Sequence, residues 1–98
     1  MMTKGDYFMH HSKELKELFK AILSLENEQE CYDFFEDLCT IKEIEQMTQR
    51  YAAAKLLNEG KTYEEVIEMT EISSATLSRV SKCIKYGKGY KNIINKQK

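Results

Sequence analysis

The chain has 98 residues, 42% of them hydrophobic, with no proline, no tryptophan and only four glycines. That length makes one domain with a modest core, and the composition excludes a disordered chain and a turn-rich β-sandwich or barrel. The formal net charge of −1 hides an asymmetry: residues 1–61 carry eight Lys and Arg against twelve Asp and Glu, and residues 62–98 carry seven against four.

Residues 1–11 show no clear period, so this segment is expected to fray. Ser12 is placed to cap a helix over about Lys13 to Leu25, in which Leu15, Leu18, Phe19, Ile22 and Leu23 recur at i, i+3, i+4, i+7 and i+8. Asn27 is placed to start a second helix, about Glu28 to Leu38, with Cys31, Phe34, Phe35 and Leu38 on one side. Thr40 and Glu43 read as a capping box for a third helix reaching about Glu59. Its stripe is Ile41, Ile44, Met47, Tyr51, Ala54 and Leu57, and the small Ala52-Ala53-Ala54 run lets another helix approach closely. Gly60 is the expected stop.

A second capping box, Thr62 with Glu65, starts a short helix to about Met69. Thr70-Glu71-Ile72 is a turn, and Ser73 caps a helix over about Ser74 to Tyr86 that ends before Gly87 and Gly89. Val66 and Ile67, then Ile72, then Leu77 and Val80 have the apolar spacing of a helix-turn-helix. An ordinary helical hairpin shares that spacing. The outward residues of the second helix separate the two: Ser74, Ala75, Ser78, Arg79 and Lys82 are small, polar or basic. A helix entering the major groove needs such a bare face. The motif commonly has glycine where this chain has Glu71 and alanine where it has Ile67, so the turn is either not left-handed at Glu71 or mildly strained, and Ile67 should push the two helices slightly apart. From Ser73 to Lys98 there are seven basic residues and no acid, which is either the footprint of a polyanion or a solubilising tail.

Other classes fall away. No apolar run approaches the roughly 18 residues of a membrane span. Met1 to Lys20 is charged throughout and lacks the apolar region of a secretory signal, so a cytoplasmic protein without a membrane partner is expected. Cys31, Cys39 and Cys83 form no close pair, and Cys31 and Cys39 with His10 and His11 make a poor zinc set, so free thiols and no metal are expected. No nucleophile is paired with a base and no glycine-rich phosphate loop is present, so the chain does not read as an enzyme and no catalytic residue is assigned.

The order of elements resembles the Trp repressor superfamily, and within it the small bacterial TrpR-related branch YerC/YecD. The resemblance runs over about Lys13 to Ile94 and is strongest from Thr40 to Lys85, through Thr40-x-x-Glu43, Arg50, Leu57, Gly60 and Ala75-Thr76-Leu77-Ser78-Arg79. It implies an all-α, multi-helix helix-turn-helix domain that forms an intertwined homodimer. Residues 12–60 would supply the dimerisation helices, residues 62–86 the reading unit and residues 87–98 a C-terminal segment. The expected partner is double-stranded DNA, and the expected role is a sequence-specific transcriptional regulator, a repressor. Arg79, Lys82, Lys85 and Lys88 would contact phosphates, while Ser74, Ala75 and Ser78 would face the bases. A protein-interaction adaptor that uses the fold without DNA is the alternative.

The resemblance also implies an effector pocket. Thr40, Arg50, Thr76 and Arg79 match positions that hold tryptophan in the repressor, but Val80 replaces a glycine against which the indole lies, and Cys83 replaces a serine. The pocket is therefore framed but its floor is filled. Tryptophan is not expected to bind, no cofactor is assigned, and a small-molecule effector of unknown identity is left open.

Overall fold

A computed structural model describes residues 2–98; Met1, the first residue of the segment expected to fray, lies outside the described residues. Among the described residues seven helices occur and no strand: α1 (Lys4–His10), α2 (Ser12–Leu23), α3 (Glu28–Leu38), α4 (Ile41–Asn58), α5 (Tyr63–Thr70), α6 (Ser74–Tyr86) and α7 (Gly89–Lys96). The chain divides into two compact units, one ending at Leu38 and the other spanning Cys39–Lys98.

In the first unit, α1 forms where the sequence predicts fraying. The reason is a capping box too short to show a hydrophobic period: Asp6 N–H donates to Thr3 Oγ1 at 3.1 Å, and Thr3 N–H donates to the Asp6 carboxylate at 3.0 Å. His11 closes α1 and stacks on Tyr7, with ring centroids 4.1 Å apart. Ser12 is not the cap of α2 but its first residue; His11 stands at the cap position and makes no side-chain capping bond. Asn27 does start α3, its Oδ1 accepting from Glu30 N–H at 2.9 Å, while the Glu30 carboxylate accepts from Glu26 N–H at 2.9 Å. The apolar stripe of α2 stays open: Leu15, Leu18 and Ile22 are half-buried, and Leu23 is 84% exposed. Phe34 and Phe35 are half-buried and meet edge to face. None of α1, α2 or α3 buries a residue.

The second unit is built on α4. Thr40 Oγ1 accepts from Glu43 N–H at 3.1 Å, and Glu43 Oε1 accepts from Thr40 N–H at 2.8 Å. The helix ends in a Schellman motif: Gly60 takes φ +95°, its N–H donates to Leu57 O at 3.0 Å, and Lys61 N–H donates to Leu56 O at 3.0 Å. Helices α5, α6 and α7 all pack on α4. Ala53 and Ala54 are fully buried there, so the alanine run is the surface that admits the neighbouring helices. The core is completed by Val66, Ile72, Leu77, Val80 and Ile94. Leu77 and Val66 are wholly removed from water, each contributing about 1.5–3 kcal/mol.

Candidate nucleic-acid interface

The two helices of the reading unit are set by caps and one turn. Thr62 and Glu65 cap α5 reciprocally, at 3.2 and 3.0 Å. Helix α5 ends at Thr70, one residue later than the sequence suggests. Glu71 then adopts φ 61°, ψ 17°, so the turn is left-handed at a residue with a side chain, and the strained alternative is the one realised. Thr70 Oγ1 steadies it, donating to Val66 O at 2.7 Å and accepting from Ile72 N–H at 3.3 Å. Ile72 plugs the core beneath the turn, and the larger Ile67 is accommodated half-buried against the same core. Ser73 Oγ accepts from Thr76 N–H at 3.2 Å and starts α6.

Leu77, Val80 and Ser81 anchor the inner side of α6. All seven residues expected to meet DNA are exposed: Ser74, Ala75, Ser78, Arg79, Lys82, Lys85 and Lys88. At the helical advance of about 100° per residue, Ser74, Ala75, Ser78, Lys82 and Lys85 share an arc of about 100°, and Arg79 lies about 40° beyond it. Lys88 is not on α6; it stands at the cap position of α7. Helix α6 has no acid in its first turn and Lys85 in its last. By contrast α5 and its turn carry Glu64, Glu65, Glu68 and Glu71, all exposed, and no base. The Glu65 carboxyl is held below its ordinary range by the backbone N–H of Thr62 and, secondarily, by its hydroxyl.

The six candidate effector residues lie on two elements: Thr40 caps α4 and Arg50 lies on it, while Thr76, Arg79, Val80 and Cys83 lie on α6. Thr40 and Arg50 are ten residues apart on α4, about 15 Å along its axis. Thr40 Oγ1 is engaged by the cap, and Thr76 Oγ1 accepts from Ser73 Oγ at 2.9 Å. Val80 is 2% exposed, so its methyls belong to the core rather than to an open floor. Cys83 is exposed and borders a cavity with Tyr51, Gly87, Gly89, Tyr90 and Ile93, none of which belongs to the set of six. Sequence reading missed Tyr90 and Gly89 as lining residues because only α7, folded back on α4 and α6, brings them there.

A short capped helix, a tight turn and a second helix with a small, basic outer face, braced on a longer helix, define a helix-turn-helix protein. Residues 13–98 match the Trp repressor protein family, and the chain belongs to that family, a family of regulators rather than enzymes. It is 52% identical over 75 residues to the uncharacterised protein YerC of Bacillus subtilis strain 168, covering 76% of this chain and 72% of YerC. Two crystal structures share the fold at a TM-score of 0.84. A candidate Trp repressor from Staphylococcus aureus is 43% identical, with 87% of this chain and 86% of that one covered. A TrpR-like protein from Eubacterium eligens is 45% identical, with 87% and 89% covered. Helix α1 lies outside the family match. No helix among the described residues is long and apolar enough to cross a membrane.

Proposed function

We propose that the chain is a sequence-specific DNA-binding transcriptional repressor that acts as a homodimer in the cytoplasm. The observation that carries this reading is the outer face of α6, where small polar residues lead and lysines follow on one exposed arc. Small side chains near the helix start leave room for base edges and bridging water, and the exposed Lys82 and Lys85 would contact the phosphates beside the groove. Arg79 at the edge of the arc and Lys88 just beyond the helix extend the basic border.

Two features support the dimer. The stripes of α2 and α3 bury nothing in a single chain, and Ile41 on α4 is 81% exposed, a loss of apolar burial that a second copy would recover. A twofold dimer would set its two reading helices about 34 Å apart, one turn of DNA.

A second reading, a protein-interaction adaptor, draws on the four glutamates of α5 and its turn, which repel phosphate. Selection of genomic fragments by the purified protein, with and without a pool of amino acids, tests the first reading. Recurrent enrichment of a two-half-site sequence is expected; uniform recovery of fragments would favour the adaptor.

A further inference from the structure

Basic residues recur at every third position from the middle of α6 into α7: Arg79, Lys82, Lys85, Lys88 and Lys91. All five are exposed, and no acid lies between Ser73 and Lys98. Along α6 each three-residue step advances about 4.5 Å and turns back about 60°. The cations therefore form a track that winds slowly round the helix rather than a scatter of charge.

The track does not end with α6. Gly87 closes that helix, its N–H donating to Cys83 O at 2.8 Å, and a Cβ there would come within 2.7 Å of the same oxygen. Only glycine lets the chain turn so closely. Lys88 O then accepts from Asn92 N–H at 3.1 Å, which ties Lys88 to the first turn of α7. Three residues of chain hold Lys88 within about 10 Å of Lys85, and the helical rise sets Lys91 about 5 Å further on. Helix α7 is itself held down: Ile94 is buried in the core, Tyr90 packs against that core, and the helix contacts α4 and α6. Lys91 thus stands on an anchored element, unlike a lysine on a loose solubilising tail. The stability of α7 does not explain it either. Lys88 and Lys91 lie at the positive end of the helix dipole, where a cation is unfavourable, and no acid offsets them in that turn.

We propose that Lys91 carries the interface past the reading helix onto the DNA backbone that flanks each half-site. The proposal rests on the DNA-binding reading and adds to it a contact outside the helix-turn-helix. A lysine held against phosphate adds affinity and no base preference. The reach from Lys85 to Lys91, about 15 Å, spans about four base pairs at about 3.4 Å each. The contacted duplex is therefore longer than the stretch that is read, and its outer pairs are free to vary in sequence.

Fragments that carry one selected two-half-site sequence, with flanks from none to about ten base pairs per side, test this by anisotropy at fixed salt. Wild-type affinity should rise about tenfold as the flanks grow to about four or five base pairs, then level off, whatever the flank sequence. Lys91→Ala should keep the melting temperature and the affinity for the unflanked fragment but lose most of that gain. On the flanked fragment it should lower the salt slope by about one unit for each phosphate released. Lys91→Arg should keep the gain. Lys96→Ala, in the last turn of α7 and about 140° round the helix from Lys91, should keep it too. Three results would overturn the proposal and leave the DNA reading in place: no gain in the wild type, an equal gain in Lys91→Ala, or equal weakening of flanked and unflanked fragments by Lys91→Ala. A wild type that binds none of the fragments overturns the DNA reading, and this contact with it.

Discussion

The two units spend their apolar residues differently. Cys39–Lys98 closes a core around Leu77, Val66 and Val80 and carries eleven Lys and Arg against seven Asp and Glu, a balance of +4. The unit ending at Leu38 has four bases against nine acids, a balance of −5, and helices that bury nothing. One unit has the packing of a finished fold and the charge of a polyanion binder. The other has amphipathic helices whose apolar faces bury nothing within one chain, with an acidic surface unsuited to DNA. On the proposed function, reading belongs to the second unit alone while pairing draws mainly on the first, so each can be broken separately.

The largest expected effect separates the two kinds of burial. Leu77→Ala should cost about 3 kcal/mol of unfolding free energy at any protein concentration, because its cavity lies inside one chain. Leu23→Ala should act through association instead: sedimentation at micromolar concentration should show twice the chain mass for the wild type and a shift toward monomer for the variant. A wild type that sediments as a compact monomer would remove the pairing half of the comparison.

Val80→Gly comes next. It deletes a buried side chain and puts glycine within a helix, so a stability loss of about 2–3 kcal/mol is expected. Calorimetry should show no heat from millimolar L-tryptophan in the wild type and a measurable heat in the variant. Micromolar binding by the wild type would refute the steric argument. Glu71→Gly should act in the opposite direction, stabilising the protein by about 1 kcal/mol, since Glu71 sits at φ 61° and glycine occupies that region without strain. A neutral or lower chemical midpoint would show that Glu71 makes a compensating interaction.

The smallest effect is a pH dependence of the caps. Thr40 N–H, and less strongly its hydroxyl, holds the Glu43 carboxyl below its ordinary 4.5, and Thr62 does the same for Glu65. A carboxyl whose folded-state pKa is depressed stabilises above its unfolded value, and that contribution is lost as pH falls through the folded value. Glu65→Gln should therefore lower the urea midpoint at neutral pH, and the gap should close as pH falls below the ordinary carboxylate range and through the folded value. A gap that persists in acid would assign the effect to shape rather than charge.

These effects also mark what the sequence made legible. The caps at Thr40, Thr62 and Ser73 and the stop at Gly60 are local: each needs only residues within a turn or two, and each is where the spacing placed it. Helix α1 escaped because seven residues cannot display an amphipathic period, although Thr3-x-x-Asp6 was there to be read. The αL geometry of Glu71 was legible as one of two outcomes; the packing of Ile72 beneath the turn selects it. The effector set was a matter of matched positions, and positions carry no distances. Only the rise of α4 separates Thr40 from Arg50, and only the return of α7 assembles Tyr51, Cys83 and Tyr90.

The central claim is that the basic arc of α6 holds DNA phosphates. Affinity for one selected fragment and for an unrelated sequence, measured across a range of salt concentrations, tests it most directly. The account predicts a steep fall in affinity with salt for the wild type. Lys82→Ala should weaken both sequences alike and reduce the slope by about one unit, whereas Ser78→Ala should change the preference between them by about 1 kcal/mol and leave the slope alone. If Lys82→Ala leaves affinity and slope unchanged, the arc is a solvated face and the claim is wrong.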